Sequence, residues 1–65
     1  MTNRNIEGAR SSMDALILNE SCSDRVLIPQ YLATAPFVKK NGDSETLAAL
    51  AAFESRHVRL LSVTA

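Results

Sequence analysis

The last third of the chain carries the clearest hydrophobic period. From Ser44 to Val63 (SETLAALAAFESRHVRLLSV), large apolar residues recur at steps of three and four, the spacing of one helix face. The side chain of Asp43 or Ser44 is placed to accept from the free amides of a first helical turn. Glycine and proline are absent from the segment. The pattern therefore predicts one amphipathic helix over about 44–62.

A narrower apolar stripe lies near the start of the chain. Its members recur at helical spacing and predict a first helix over about 3–20. A second possible start lies near Ser12, because Ser11, Ser12 and Asp14 resemble a capping box. The longer helix is favoured because the earliest apolar residues stay in phase with the later ones. The stripe consists of Ile6, Ala9, Met13, Leu16 and Ile17.

The segment between the two stripes holds both prolines of the chain. Its first part, residues 19–24 (NESCSD), predicts a break, because short polar side chains compete for backbone hydrogen bonds. Pro29 is suited to the start of a short middle helix over about 29–34, and we expect Pro36 to end it. The predicted fold is therefore all-α, a single small helical domain over residues 1–65 with two long helices and a short middle one.

Chain length and cysteine content bear on the assembly. A chain of 65 residues has a small core, and such cores are marginally stable alone. The single cysteine, Cys22, excludes an internal disulfide, and one Cys with one His cannot complete a structural zinc site. We therefore predict a homodimer formed through the apolar sides of the long helices. The predicted dimer interface on the last helix is Leu47, Leu50, Phe53, His57, Val58 and Leu61.

Charge and hydropathy narrow the function classes. Seven basic and seven acidic residues give no net charge, which argues against a protein that mainly grips the nucleic-acid backbone. The start of the chain, MTNRNIEGAR, lacks the apolar stretch of a signal peptide, and no run approaches the roughly 20 apolar residues of a membrane span. The lone thiol fits a reducing compartment. We expect a cytoplasmic protein with no membrane attachment.

Two groups of residues suggest chemistry. Glu54 and His57 have the E-x-x-H spacing of metal ligands on one helix, but a metal site needs further carboxylates at matching depth on other helices. We interpret the pair as hydrogen-bonding at an interface or at a helix edge. Cys22 has no base beside it in the sequence, so we interpret it as an inert thiol. We predict no catalytic, cofactor-binding or metal-binding residue, no small-molecule substrate and no enzyme activity; a component of a metal-dependent or cofactor-dependent enzyme is the least favoured reading.

The connector between the prolines offers a surface for a partner. Tyr31 lies in a short segment, a setting in which tyrosines often contribute strongly to interfaces. Packing of the connector onto the helices is an equal alternative. Arg56 and Arg59 are placed to meet phosphates or acidic side chains, although a solvated helix face is the usual explanation. The predicted partner-binding set is Tyr31, Leu32, Phe37, Val38, Arg56 and Arg59.

The layout combines a short polar start (MTNRNIEGAR), a connector (IPQYLATAPF) and a capped, alanine-rich last helix (SETLAALAAFESRHVRLL). In this it resembles the small early or accessory proteins of temperate transposable bacteriophages. The resemblance implies a dimeric helical protein that binds and inhibits a host protein, such as a quorum-sensing activator or a pilus-assembly ATPase. We therefore expect an anti-activator or inhibitor that binds a host regulatory protein such as a transcription factor; the alternative is a small dimeric DNA-binding regulator that uses Arg56 and Arg59.

Overall fold

A computed structural model describes residues 3–64 of the chain. This part consists of four α-helices without a strand, which confirms the prediction of an all-α fold. Residues 1, 2 and 65 of the predicted domain lie outside the described residues. The helices are α1 (Asn3–Leu18), α2 (Asp24–Asn41), α3 (Ser44–Arg56) and α4 (Val58–Thr64).

The first three helices run in alternating directions. The start of α1 packs near the end of α2, where Gly8 lies against Phe37. The end of α1 is joined to the start of α2 by a hydrogen bond from Asn19 Nδ2 to Gln30 Oε1 of 3.1 Å. These contacts make α1 and α2 antiparallel, and the two-residue connection 42–43 then returns the chain as α3 alongside them.

All four helices contribute to one core. Phe53 is the largest of the core side chains that are fully buried. Met13 and Leu16 of α1 and Leu50 of α3 are also buried. The buried apolar set is Ala9, Met13, Leu16, Leu27, Tyr31, Ala35, Val38, Leu50, Phe53 and Leu60.

The middle helix differs from the short helix predicted over 29–34. It extends for 18 residues from Asp24 to Asn41, and both Pro29 and Pro36 lie inside it. Each proline removes one helical hydrogen bond, but both are on the exposed side, where water can solvate the carbonyl that loses its donor. The inward side buries enough apolar surface to hold the helix together across both prolines.

The last helix is also different, because the single helix predicted over about 44–62 is divided at His57. This residue has φ −126° and ψ 49°, outside the helical region, and its N–H donates to the carbonyls of Phe53 and Glu54. The change of direction lets α4 pack against α2 and α3, and Leu60 is buried there. The sequence does not predict this break, because neither glycine nor proline occurs at it.

The two helix starts predicted from the sequence agree with the structure. Asp43 caps α3, because its Oδ1 accepts from the Thr46 N–H at 2.9 Å and from the Thr46 hydroxyl at 2.6 Å. Helix α1 already includes Asn3, so the longer of the two predicted first helices is correct. Gly8 lies inside that helix, and a Cβ added there would lie 3.3 Å from the Phe37 ring.

Candidate functional site

A polar cluster joins the turn after α1 to the break between α3 and α4. Oε2 of Glu20 accepts from Arg56 Nε at 2.6 Å and lies 2.9 Å from His57 Nε2. The hydrogen bonds from Arg56 and His57 hold the pKa of the Glu20 carboxyl below its ordinary value. These contacts hold the end of α3 next to the end of α1. They explain why the chain can turn at His57.

A row of three rings connects this cluster to the core. The Tyr31 and Phe53 rings are stacked with centroids 5.9 Å apart, and the Phe53 and His57 rings are 4.4 Å apart. The Tyr31 hydroxyl donates to Glu54 Oε2 at 2.7 Å, and Lys39 Nζ lies 3.7 Å from the same oxygen. Burial, together with the hydrogen bond to Glu54, raises the pKa of Tyr31 to about 12.

The E-x-x-H pair does not converge on one point. Glu54 turns to Tyr31, whereas His57 turns to Glu20. Within residues 3–64, no group of three or more His, Cys, Asp or Glu side chains is arranged to hold a metal ion. Cys22 is exposed, and its thiol donates weakly to Asn19 Oδ1 at 3.6 Å. These contacts position helix ends and give the polar residues a structural role.

The predicted partner-binding residues of the connector separate into two sets. Tyr31 is only 6% exposed and Val38 is fully buried, so the prediction of one exposed patch that includes them is wrong. They point inward because residues 24–41 form one continuous helix whose inner face they share. Leu32 is 50% exposed and Phe37 is 37% exposed on the other side of that helix.

The two predicted arginines are both engaged with carboxylates. Arg56 Nε lies 2.6 Å from Glu20 Oε2, and Arg59 Nη2 lies 3.4 Å from Asp24 Oδ2. Both pairs link the α3–α4 region to the turn between α1 and α2. The charge that the arginines offer to an outside partner is therefore partly compensated within the chain.

The predicted dimer interface is largely taken up by the chain itself. Leu50 and Phe53 are 2% and 0% exposed, so the chain's own helices already cover both. The His57 ring lies against the Phe53 ring at a tilt of 31°, and Leu61 is partly buried against the core. Leu47 and Val58, which are 38% and 62% exposed, are the members that stay open to solvent. Dimerisation itself stays a prediction.

The sequence reasoning named only Leu32 and Phe37 of a larger apolar surface on α2. We call it the α2 outer face; it lies opposite the buried side of the helix, and Phe37 forms its edge against Gly8 of α1. Successive members are separated by one to four residues, as on a broad helical stripe. The signal becomes visible only when residues 24–41 are placed on a single helical wheel. Its exposed apolar members are Val26, Pro29, Leu32, Ala33, Pro36 and Phe37, and its exposed cations are Arg25, Lys39 and Lys40.

A shallow depression lies between α1 and α3. It has a volume of about 200 Å³ and is open to solvent. Pockets that enclose small molecules usually measure about 300–1,000 Å³ and bury most of the ligand. Its lining residues are Arg10, Met13, Asp14, Glu45, Thr46 and Ala49. The depression is thus smaller and more open than a typical small-molecule site.

Comparison with known proteins adds no relative. The chain matches no protein-family model, no curated protein and no solved structure. The layout shared with small bacteriophage proteins therefore stays a prediction from the sequence. Of the helices formed by residues 3–64, none combines the length and the apolar character that crossing a lipid bilayer requires.

Proposed function

We propose that this protein is a non-enzymatic inhibitor that binds a regulatory protein of a host cell and blocks its activity. The observation that carries the proposal is the α2 outer face. Val26 and Leu32 are 51% and 50% exposed although the chain has other apolar side chains fully buried in its core. A run of exposed apolar residues along one helix is typical of a protein-binding surface.

The polar residues support a binding role over catalysis. Glu20 and His57 contact each other where helix ends meet, and Glu54 accepts from Tyr31 of α2. Catalytic carboxylates and imidazoles act at a concave site where a substrate can reach both. The contacts made here join helix ends, and the depression between α1 and α3 lies beside Arg10 and Glu45 instead.

The alternative of a DNA-binding regulator receives less support. It relied on Arg56 and Arg59, whose guanidinium groups lie 2.6 and 3.4 Å from carboxylate oxygens of the same chain. Binding to phosphates would require these ion pairs to open. The chain also has no net charge, whereas affinity for the DNA backbone depends on an excess of cations.

The proposed inhibitor acts as a homodimer, with α3 packing on α3 of a second copy. Between Leu47 and Ser55 the exposed positions of α3 are all uncharged, namely Leu47, Ala48, Ala51, Ala52 and Ser55. Small side chains let two helix backbones approach closely, and a dimer gives a chain of this length additional buried surface.

Sedimentation equilibrium tests the dimer. We expect a mass of twice the 7.1 kDa of the chain, falling to 7.1 kDa in Ala51→Arg, because an arginine there separates the helices. Ala33→Arg, which places the same change on the exposed side of α2, serves as the control and should leave the dimer intact. A wild-type mass of 7.1 kDa at micromolar concentration would contradict the dimer.

Site-specific photocrosslinking tests the binding function. A photoreactive phenylalanine analogue replaces Leu32, and in a control variant it replaces Leu18, which is 82% exposed on α1. We expect one host protein to crosslink at position 32 and not at position 18, and its activity to fall when the purified inhibitor is added. No crosslinked protein at position 32, or a crosslinked protein whose activity does not change, would refute the proposal.

A further inference from the structure

We propose that the α2 outer face binds an acidic amphipathic helix of the partner protein. The inference rests on the proposed function and adds the chemistry of the partner. Its basis is the combination of an apolar stripe with charges of a single sign along one face of an 18-residue helix.

The charges on this face are all positive. Arg25 lies near its start, and Lys39 and Lys40 lie near its end. The one acidic residue of α2, Asp24, is the first residue of the helix and is paired with Arg59 at 3.4 Å. Lys39 is shared with Glu54, whereas the ion pairs within residues 3–64 leave Arg25 and Lys40 without a carboxylate.

The length and spacing fit a helix better than an extended peptide. From Arg25 to Lys40 the face spans 16 residues, and the steps between them give a rise of about 22 Å along the axis. The apolar stripe between the two cations contains Val26, Leu32 and Phe37, which are 51%, 50% and 37% exposed. A partner helix of about four turns with acidic residues at both ends matches this arrangement of apolar centre and charged ends.

A second copy of the chain is a poor occupant of this face. In an antiparallel pairing of two α2 helices, Arg25 of one copy lies opposite Lys40 of the other. In a parallel pairing each cation lies opposite itself. Both arrangements bring like charges together at an interface, which disfavours association. The α3-mediated dimer of the proposed function leaves this face open.

An anionic membrane is also a poor occupant. Pro29 and Pro36 have no amide hydrogen, so the carbonyls of Arg25 and Leu32 lose the donor that a regular helix supplies from four residues ahead. Both carbonyls belong to the exposed stretch of the helix, where water or a polar side chain can donate to them. The hydrocarbon of a bilayer offers no donor, so inserting the face would leave these carbonyls unsatisfied.

Fluorescence anisotropy with designed peptides tests the inference. The first probe is a labelled amphipathic peptide of about 18 residues with leucines on one side and glutamates flanking them; the second has lysine in place of each glutamate. We expect the acidic peptide to bind about tenfold more tightly than the basic one, and its affinity to fall as salt is added. The double variant Arg25→Glu/Lys40→Glu should reverse this preference.

Controls separate this result from a loss of folding. Arg4→Glu makes a similar change at an exposed position of α1 and should leave both affinities unchanged, and circular dichroism should show the same helix content for every variant. Equal binding of the two peptides, or an unchanged preference in the double variant, would overturn the inference. So would tighter binding to phosphatidylglycerol vesicles than to the acidic peptide, or a self-association that Leu32→Asp abolishes.

The two proposals can fail separately. If a host protein crosslinks at position 32 and is inhibited, yet the charge-reversed double variant still prefers the acidic peptide, the inhibitor function stands and the acidic helix is wrong. If the peptides behave as expected and the crosslinked host protein keeps its activity, the surface is correctly assigned and the inhibitor function is wrong.

Discussion

At the scale of single residues, Tyr31 links the core to its polar edge. Its ring stacks on Phe53 at 5.9 Å, and its hydroxyl donates to the partly exposed carboxylate of Glu54 at 2.7 Å. A buried tyrosine needs such a partner, because an unpaired hydroxyl away from water costs free energy. The Glu54 carboxylate therefore accepts from a buried hydroxyl while it stays in contact with solvent and with Lys39.

Replacing Tyr31 by Phe tests this arrangement through alkaline stability. The folded protein holds the phenol proton up to a pKa of about 12, whereas the unfolded chain releases it near the ordinary value of about 10. The contribution is therefore fully present below pH 10 and is lost as the pH rises from there towards 12. We expect Tyr31→Phe to lower the free energy of unfolding by about 0.5–1.5 kcal/mol at neutral pH and to lose this alkaline dependence.

Urea unfolding followed by circular dichroism at a series of pH values measures both effects. Phe37→Leu, a change in a partly exposed ring of the same helix, is a suitable control and should keep the alkaline dependence of the wild type. An equally steep alkaline loss in Tyr31→Phe would show that other groups are responsible.

The two glycines give a matched pair of substitutions with opposite expected signs. A Cβ at Gly8 meets only the Phe37 ring at 3.3 Å, and that half-exposed ring can move aside. Alanine there should stabilise the protein by about 0.5–1 kcal/mol, the usual gain in helix propensity. A Cβ at Gly42 would lie 2.7 Å from the Val38 carbonyl oxygen, so Gly42→Ala should destabilise it. Thermal unfolding that moves both variants in the same direction would contradict this account.

At the scale of the helices, α3 depends on its cap. Asp43 accepts from Thr46 and also lies 2.6 Å from Arg10 Nη2, so one carboxylate starts α3 and joins it to α1. The hydrogen bonds from Thr46, with that from Arg10, hold the pKa of Asp43 well below its usual range. The contribution of such a group is present above its unfolded value and lost as the pH falls through its folded value.

Two substitutions of Asp43 separate the cap from the charge. Asparagine is an equally good cap, so Asp43→Asn keeps the Thr46 contacts and loses the ion pair, whereas Asp43→Ala loses both. We expect the alanine variant to have the lower Tm at neutral pH, by several degrees. Between about pH 5 and pH 2 the wild type should lose more stability than Asp43→Asn, whose remaining acid dependence includes that of Glu20. Equal acid sensitivity of wild type and Asp43→Asn would be the contrary result.

The prolines of α2 lead to a prediction about stability. Pro36→Ala returns an amide donor to the Leu32 carbonyl, and we expect it to stabilise the fold by about 2 kcal/mol. Pro29→Ala should give a smaller gain, because Pro29 is near the first turns, where α2 frays more easily. Thermal unfolding checks the order, and a loss of stability in Pro36→Ala would show that the ring itself is needed.

Sequence patterns predicted the outer helices better than the middle one. The period of α1 and the cap at Asp43 are local signals, and both were correct. The sequence did not predict the full length of α2. Its two prolines indicate helix ends as long as their exposed position on the helix is unknown. The bend at His57 depends on Glu20, 37 residues away, and long-range contacts of this kind leave no local pattern. The full α2 outer face was not predicted for a similar reason, because it exists only when residues 24–41 form one helix.

At the scale of the whole molecule, the chain has no net charge, but its charged residues are distributed unevenly over its faces. The α2 outer face carries cations only, while Asp14 and Glu45, together with Arg10, line the depression between α1 and α3 on a different side. The molecule is elongated, with extents of 36 × 17 × 17 Å, so these faces are long and narrow. A partner that approaches along α2 meets a positive potential despite the neutral chain.

Nuclear magnetic resonance with uniformly labelled protein tests the central claim most directly. The acidic amphipathic peptide is titrated in, and the backbone amide shifts are mapped onto the helices. The account predicts that the largest changes follow the exposed positions of α2 from Arg25 to Lys40, with Leu32 at their centre. Changes concentrated around Asp14 and Glu45, or none on α2 at saturating peptide, would contradict it.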